Sequence, residues 1–193
     1  MSRHIYIVCL VMFLSACGTS PKTHFYLLDQ DHPPGENAVP DTDGLRIGVW
    51  KARLPEFLDR SEIVTRNGQH DIELSDFHKW AGRLDNNLSR LVAAELGERL
   101  HTDRVVVSPW PAYIKNNYQV KLYIEHFDGQ LGGEMVLSGA WSLLNGRGNK
   151  ELAWKSFTFR TTAASATYSD MIAALSALTV QLADRIATTI AAR

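Results

Sequence analysis

Three runs of alternating apolar and polar residues lie close together in the chain: YQVKLYIEHF (118–127), EMVLSGAWSLL (134–144) and KELAWKSFTFR (150–160). Strands with one buried face show this alternation, because successive side chains point to opposite faces of a sheet. The connecting segments, 128–133 and 145–148, are rich in Gly and Asn, which favour turns. The pattern predicts a three-strand antiparallel meander at the centre of the fold.

Shorter strands are predicted before the meander. Asn67-Gly68 separates two strand-like runs, and this dipeptide favours the tight turn of a hairpin because both residues of a type I′ turn need positive φ. Branched and aromatic residues indicate the other strands. The predicted short strands cover residues 25–28, 45–50, 61–66, 69–74 and 104–108.

Two helices are predicted from apolar residues at spacings of three and four. The first covers about residues 85–100. The second is long and C-terminal, with Ser169 or Asp170 as its expected N-cap. The element order is therefore β-β-β-β-α-β-β-β-β-α, which predicts an α+β fold with two amphipathic helices on one face of a mostly antiparallel mixed sheet. The apolar stripes are Leu84, Leu88, Leu91, Val92, Leu96 and Leu100, and then Met171, Leu175, Leu178, Leu182, Ile186 and Ile190.

The N-terminus has the pattern of a secretory signal. Arg3 is followed by an apolar run of 12 residues, 5–16, which is shorter than the ~20 residues that cross a bilayer as a helix. The sequence Leu-Ser-Ala-Cys17 resembles a bacterial lipobox, in which the thiol is acylated and the chain is cut before the cysteine. An ordinary secretory signal with a chance cysteine is the alternative. We expect residues 1–16 to be removed and Cys17 to carry acyl chains.

An acylated Cys17 would attach an otherwise water-soluble domain to a membrane, since two or more acyl chains anchor a protein stably. The next residue is Gly18. By resemblance to other lipoproteins, a residue other than Asp at this position favours export to the outer membrane. Residues 17–22 would form the lipidated cysteine and a short tether, in which the five residues after Cys17 span at most ~17 Å. We expect residues 23–193 to form a single domain, with a polar loop at 29–44 that contains three prolines.

Composition excludes several classes of function. The net charge of −1 becomes −2 when Arg3 leaves with the signal, and no block of like charges suggests nucleic acid as a partner. Cys9 would also leave with the signal and Cys17 would be acylated. The folded domain would then have no disulfide and no cysteine nucleophile.

Enzymatic motifs are absent from the sequence: there is no Gly-x-Ser-x-Gly, no His-Glu-x-x-His and no phosphate-binding glycine loop. A polar cluster could in principle bind a divalent cation. Its spacing matches no known metal pattern, His78 is expected in a different element from the others, and a solvated hairpin explains the polarity equally well. We predict no catalytic residue, metal or cofactor. The cluster is His70, Asp71, Glu73, Asp76 and His78.

The tryptophans divide by position. Trp141 and Trp154 lie inside predicted strands and are expected in the core, whereas Trp80 precedes the first helix. Trp50 and Trp110 follow strands, where an aromatic ring can stay partly exposed and anchor a partner. Ordinary core packing is the alternative for each.

Five segments resemble the PqiC-type lipoproteins, the auxiliary components of ABC transporters. They are Ile47-Gly48-Val49, LPEFLDR (54–60), IVTR (63–66), the stretch 73–84 and TDRVVVSPW (102–110). The strong part of the resemblance covers about residues 45–110. None of these motifs is catalytic in the family.

The resemblance implies an outer-membrane lipoprotein that faces the periplasm and is not an enzyme. It would work with an MCE-domain protein and an inner-membrane permease to move lipids or maintain envelope integrity, and self-association is plausible because MCE proteins form rings. The domain would supply a docking surface for the MCE assembly. The residues expected to contribute are Trp50, Glu56, Asp59, Arg60 and Trp110.

Two other functions remain open from the sequence. A lipid carrier would need an apolar cavity of several hundred cubic ångströms between sheet and helices. A periplasmic hydrolase or metal enzyme would use the cluster between His70 and His78.

Overall fold

The computed structural model describes residues 21–29, 44–68 and 70–193. The expected signal sequence, Cys17 and most of the expected loop at 29–44 lie outside these residues. Within the described residues the chain forms eight strands and two helices in the predicted order, which confirms the α+β fold. They are β1 (His24–Tyr26), β2 (Ile47–Val49), β3 (Glu62–Arg66), β4 (Ile72–Trp80), α1 (Leu84–Arg99), β5 (Val105–Val107), β6 (Tyr118–Gly129), β7 (Glu134–Asn145), β8 (Glu151–Thr162) and α2 (Tyr168–Ala191).

The larger sheet has five strands in the order β5-β2-β6-β7-β8. Its β6–β7–β8 part is the predicted antiparallel meander. The short strand β2 pairs in parallel with both β5 and β6, and its three residues are fully buried. The chain then continues along β6, since the backbone N–H of Trp50 and that of Arg53 donate to the carbonyls of Val120 and Leu122.

The smaller sheet has three strands in the order β1-β4-β3, so the strands form two sheets. β1 is parallel to β4, and β3 is antiparallel to β4. The hairpin is at the predicted place, but Arg66 pairs with Ile72 and Asn67 lacks a positive φ, so a loop of residues 67–71 replaces the expected tight type I′ turn. β4 is longer than predicted because it continues to Trp80, whose ring packs on that of Phe127. The expectation that His78 belongs to a different element from Glu73 is therefore wrong.

Both helices pack on one face of the five-stranded sheet, here called the covered face. The predicted stripe residues of α1 and α2 are buried, except for a half-buried Leu100 just after α1. The N-cap of α2 is Thr167, whose hydroxyl accepts a hydrogen bond from the Asp170 amide at 3.2 Å, so the predicted N-cap was two or three residues late. The covered face of the meander includes Leu122, Trp141 and Leu143, each at most 1% exposed.

Among the described residues, α2 alone is long and apolar enough to cross a membrane. In this fold 56% of the most apolar stretch of α2 is buried against the sheet and α1. The helix is therefore part of the core, as its regular stripe predicted.

Candidate functional site

The other face of the five-stranded sheet, here called the open face, carries a pair of tryptophans. The rings of Trp50 and Trp110 meet edge to face, with centroids 5.0 Å apart. Gly48 makes this possible, since a Cβ on Gly48 would lie 2.8 Å from the Trp110 ring and 2.4 Å from Nδ2 of Asn116. The two residues that the sequence nominated as strand-end anchors thus form one site, and a glycine is required beneath it.

Polar groups hold the pair against β6. The Trp50 indole Nε1–H donates to Oε1 of Gln119 at 2.9 Å, and Gln119 in turn donates to the carbonyl of Gly146 at 2.8 Å. The Lys121 ammonium lies 5.7 Å from the centre of the Trp50 ring, a cation–π distance. Trp50 nevertheless stays 38% exposed. One edge of the ring is fixed and the rest is presented to solvent.

The aromatic residues continue across the sheet. The Arg53 guanidinium lies 5.6 Å from the ring of Tyr123, and that ring lies 5.1 Å from the ring of Trp154 on β8. Tyr123 and Trp154 meet above β7, whose open-face residues there are the small Ala140 and Ser142. The expectation that Trp154 belongs to the core was wrong, because its register places it on the open face with 52% exposure. We call Trp110, Trp50, Tyr123 and Trp154 the aromatic strip.

The nominated charged residues lie in a turn beyond the aromatic strip. The chain leaves β6 after the amide of Ile124 donates to Arg53, and residues 55–59 then form a tight turn. Glu56 and Asp59 are exposed, and Asp59 accepts from Arg83 at 3.0 Å. Within the described residues, the buried Nε of Arg60 has no hydrogen-bond partner.

A buried ion pair closes the far end of the open face. Arg66 donates through Nε and Nη2 to both carboxylate oxygens of Asp128, at 2.6 and 3.0 Å. The Asp128 side chain is 1% exposed. Nδ1 of His126 lies 3.0 Å from Nη2 of Arg66. Hydrogen bonding to Asp128 raises the pKa of Arg66 above its usual value, although burial opposes this. Sequence reasoning missed the pair because no pattern joins positions 62 residues apart.

The polar cluster at 70–78 is dispersed. Within the part of the chain that the structure describes, no group of three or more His, Cys, Asp or Glu side chains is placed to hold a metal ion. His78 instead stacks on Tyr168 at 3.9 Å and on His24 at 5.3 Å, and its Nδ1 lies 2.7 Å from the Tyr26 hydroxyl. Burial, and then the charge of His24, lower the pKa of His78. The contacts of His78 therefore form a structural junction of β1, β4 and α2.

The cavities differ from those of a lipid carrier. A cleft of about 210 Å³ lies between β8 and α2 and is lined by Trp141, Lys155 and Phe157 among others. Small-molecule pockets typically measure roughly 300–1,000 Å³. A larger cleft of about 800 Å³ is lined mainly by polar residues, such as Asn116, Asn145 and Arg147. Neither of these two clefts of the described residues is the large apolar cavity that a lipid carrier would need.

Comparison with known proteins identifies a family for the chain. Residues 26–187 match the family described as the ABC-type transport auxiliary lipoprotein component. The chain belongs to this family. It is thus an auxiliary lipoprotein associated with transport, from a family that is not an enzyme family, and its expected partners are the components of a transporter. No curated protein matches the chain.

Solved structures share the fold. An uncharacterized protein has 21% identity and a TM-score of 0.70, with 88% of this chain and 99% of that chain covered. Protein XCC0632 from Xanthomonas campestris has 14% identity and a TM-score of 0.63, with 84% and 92% covered. A PelC dodecamer from Paraburkholderia phytofirmans has 16% identity, with 76% and 88% covered. Its TM-score of 0.47 is too low for any inference about assembly.

Proposed function

We propose that this auxiliary lipoprotein is anchored in the outer membrane through Cys17 and docks an MCE-domain protein of a lipid transport system through the aromatic strip. The permease of that system would lie in the inner membrane, and the assembly would maintain the envelope. The protein then acts by holding its partner and carries out no chemical step. Family membership and the lipobox support the anchored auxiliary role.

The observation that carries the docking role is the aromatic strip with its two cations, in which Trp50 and Trp154 are exposed and Trp110 and Tyr123 are half-buried. Monomeric soluble domains rarely leave several large aromatic rings together on one face, and such rings are typical anchors of interfaces. Lys121 and Arg53 lie against the rings of Trp50 and Tyr123, so the strip is apolar and positively charged. A partner surface that offers apolar side chains and carboxylates would match it.

The position of the strip is also suitable. Trp50 hydrogen bonds to Val120 near the start of β6, whereas Trp80 packs on Phe127 near its end. The two β6 positions are about 23 Å apart along an extended strand. β1, which follows the tether, pairs with Trp80 through Tyr26. The tryptophan pair therefore lies at the opposite end of β6 from Tyr26, which supports docking at a distance from the proposed anchor.

Co-purification of the MCE protein from detergent-solubilised envelopes tests the proposal. Trp50→Ala and Trp110→Ala should each remove most of the captured MCE protein, since truncating a central aromatic anchor costs at least about 2 kcal/mol of binding, a loss of roughly thirtyfold. Leu27→Ala is the matched control, because Leu27 is 55% exposed and lies outside the strip. Unchanged capture by both tryptophan variants would contradict docking through the strip.

Charge reversals test the residues of the 55–59 turn and Arg60. Glu56→Lys is the most direct, because Glu56 is exposed. Asp59→Lys also breaks the ion pair with Arg83, so its folding must be checked by circular dichroism. We propose that this turn and Arg60 belong to the docking surface, so Glu56→Lys, Asp59→Lys and Arg60→Glu should abolish capture while the fold stays intact. Normal capture by the folded variants would show that these three residues are only structural.

A further inference from the structure

The three-stranded sheet leaves large apolar side chains in solvent. Phe25 on β1 is 65% exposed, and Ile72 and Leu74 on β4 are 38% and 40% exposed. These residues lie outside the aromatic strip and belong to the other sheet. An exposed apolar group of this kind on a soluble domain marks a contact with a membrane or with a protein.

The register places the three residues on one face. Leu74 pairs with Val64 and Lys79 pairs with Glu62, and Val64 and Glu62 are two positions apart on β3. Residues two apart point to the same side of a strand, and so do cross-strand partners. Leu74 and Lys79 therefore share a face despite the irregularity between them. Ile72 joins through its pairing with Arg66, and Phe25 through its pairing with Lys79. We call Phe25, Ile72 and Leu74 the apolar face.

The charges on this side are paired with each other. Lys79 donates to Glu62 at 3.3 Å, and Arg66 binds Asp128. Glu73 pairs with Thr65 and so points to the opposite side of the sheet. Three more ionisable residues, His70, Asp71 and Asp76, are exposed on the hairpin. The two cations that the register places on the apolar face, Lys79 and Arg66, are therefore each paired with a carboxylate.

The direction of β1 supports a bilayer as the surface that contacts the apolar face. β1 runs parallel to β4 with His24 opposite His78, so the chain before His24 leaves toward the end of the hairpin that carries Ile72. The hairpin extends about 13 Å beyond the Glu62–Lys79 pair, at about 3.3 Å per residue. Cys17 precedes His24 by seven residues, which span at most ~25 Å. A membrane that holds Cys17 is therefore within reach of the hairpin whenever the tether is not fully extended.

We propose that the apolar face of the β3–β4 hairpin rests on the lipid bilayer that holds the acyl chains of Cys17. This inference rests on the lipid anchoring proposed above. The domain then meets the membrane at two places, with acyl chains inserted at Cys17 and with Phe25, Ile72 and Leu74 at the lipid interface. The contact would fix which side of the hairpin lies against the membrane.

A depth measurement on the full, acylated chain tests the contact. The expected mature chain has no thiol except the acylated Cys17, so a cysteine introduced at one position can carry a single environment-sensitive fluorophore. Leu74→Cys and Ile72→Cys report on the apolar face. Trp154→Cys is the matched control, since Trp154 is an exposed apolar residue on the other sheet. The proteins are reconstituted in vesicles of phosphatidylethanolamine and phosphatidylglycerol, with and without brominated acyl chains.

The expected result is a loss of fluorescence in brominated vesicles for labels at 72 and 74, and no loss for the label at 154. Equal quenching at 74 and 154 on chains that float with the vesicles would overturn the membrane contact and leave the anchor intact. Chains that fail to float would contradict the anchor itself, and the contact with it. If the protein forms a dimer in which the label at 74 is shielded from solvent but is not quenched by bromine, a second copy covers the apolar face. This result would also overturn the proposal.

Discussion

The two faces of the five-stranded sheet use alternate residues of the same strands for different purposes. On the covered face, Leu122 and Trp141 are at most 1% exposed beneath the helices. On the open face, the neighbouring positions carry Lys121, Tyr123 and Trp154, whose rings and charges contact one another at the surface. The period of two along a strand therefore separates stability from recognition, so that one set of side chains can change without the other.

The largest effect should come from the covered face. Trp141→Ala removes a fully buried ring beneath α2 and should lower the free energy of unfolding by about 3–5 kcal/mol. Trp154→Ala, one strand away on the open face, removes only a half-exposed ring and should cost less than about 1.5 kcal/mol. Urea unfolding followed by circular dichroism measures both. Similar losses for the two variants would show that the faces do not differ in this way.

The Arg66–Asp128 pair lies at the end of the open face, where the carboxylate of Asp128 is buried although Trp50 and Trp154 on the same face are exposed. Arg66→Met would leave the carboxylate of Asp128 buried without its cation and should cost about 3 kcal/mol or more. Arg66→Lys keeps the charge but loses the two-pronged hydrogen bond, so we expect an intermediate loss. Urea unfolding of the two variants beside the parent gives the order. A fully stable Arg66→Met protein would contradict it.

Gly48 tests whether the tryptophan pair depends on the backbone beneath it. Gly48→Ala would place a methyl group against Trp110 and Asn116 and should cost about 1–3 kcal/mol while displacing the Trp110 ring. Capture of the MCE protein should fall together with the near-ultraviolet circular dichroism of the ring pair. Adding Trp110→Ala should cost less in the Gly48→Ala background than alone, because the two sites are in contact. Additive losses would show that the ring does not depend on this glycine.

The sequence predicted the element order because alternation and helical spacing are local signals. Alternation in 118–127, 134–144 and 150–160 identified the meander, and the apolar stripes identified both helices. The separation into two sheets was not predictable in this way, since the parallel pairings of β1 with β4 and of β2 with β5 and β6 join distant segments. Trp154 was misplaced because periodicity does not say which set of alternating residues is covered.

The candidate site was only partly predictable. Trp50 and Trp110 stood out because they follow strands, but their contact depends on Gly48, whose role is visible only in three dimensions. Tyr123 and Arg53 gave no signal of their own in the sequence. The cluster at 70–78 contains residue types that can bind a cation, but its spacing matches no metal pattern. Of its members, Glu73, Asp76 and His78 lie on β4, and His78 stacks on Tyr168.

The smallest effect should be a pH dependence of stability at the junction of β1, β4 and α2. Tyr168, the first residue of α2, stacks there on His78. Burial and the charge of His24 lower the pKa of His78, so the folded state prefers the neutral imidazole. The groups around it are His24, Tyr26 and Tyr168. As the pH falls below about 6.5, the usual pKa of histidine, the unfolded chain binds more protons at this position than the folded chain. The stabilisation is therefore complete above that pH and is lost as the pH falls through the lowered pKa.

Melting temperatures measured across this pH range should thus decrease toward acid, and His78→Phe, which retains a ring on Tyr168, should reduce the slope. His24→Ala should reduce it less, because it removes only the second cause of the shift and leaves His78 buried. His70→Ala, at an exposed position on the same hairpin, should keep the parent slope. An unchanged slope in His78→Phe would assign the acid sensitivity to another group. If the slope is reduced, protonation of His78 weakens the junction that joins the strand after the tether to the start of α2.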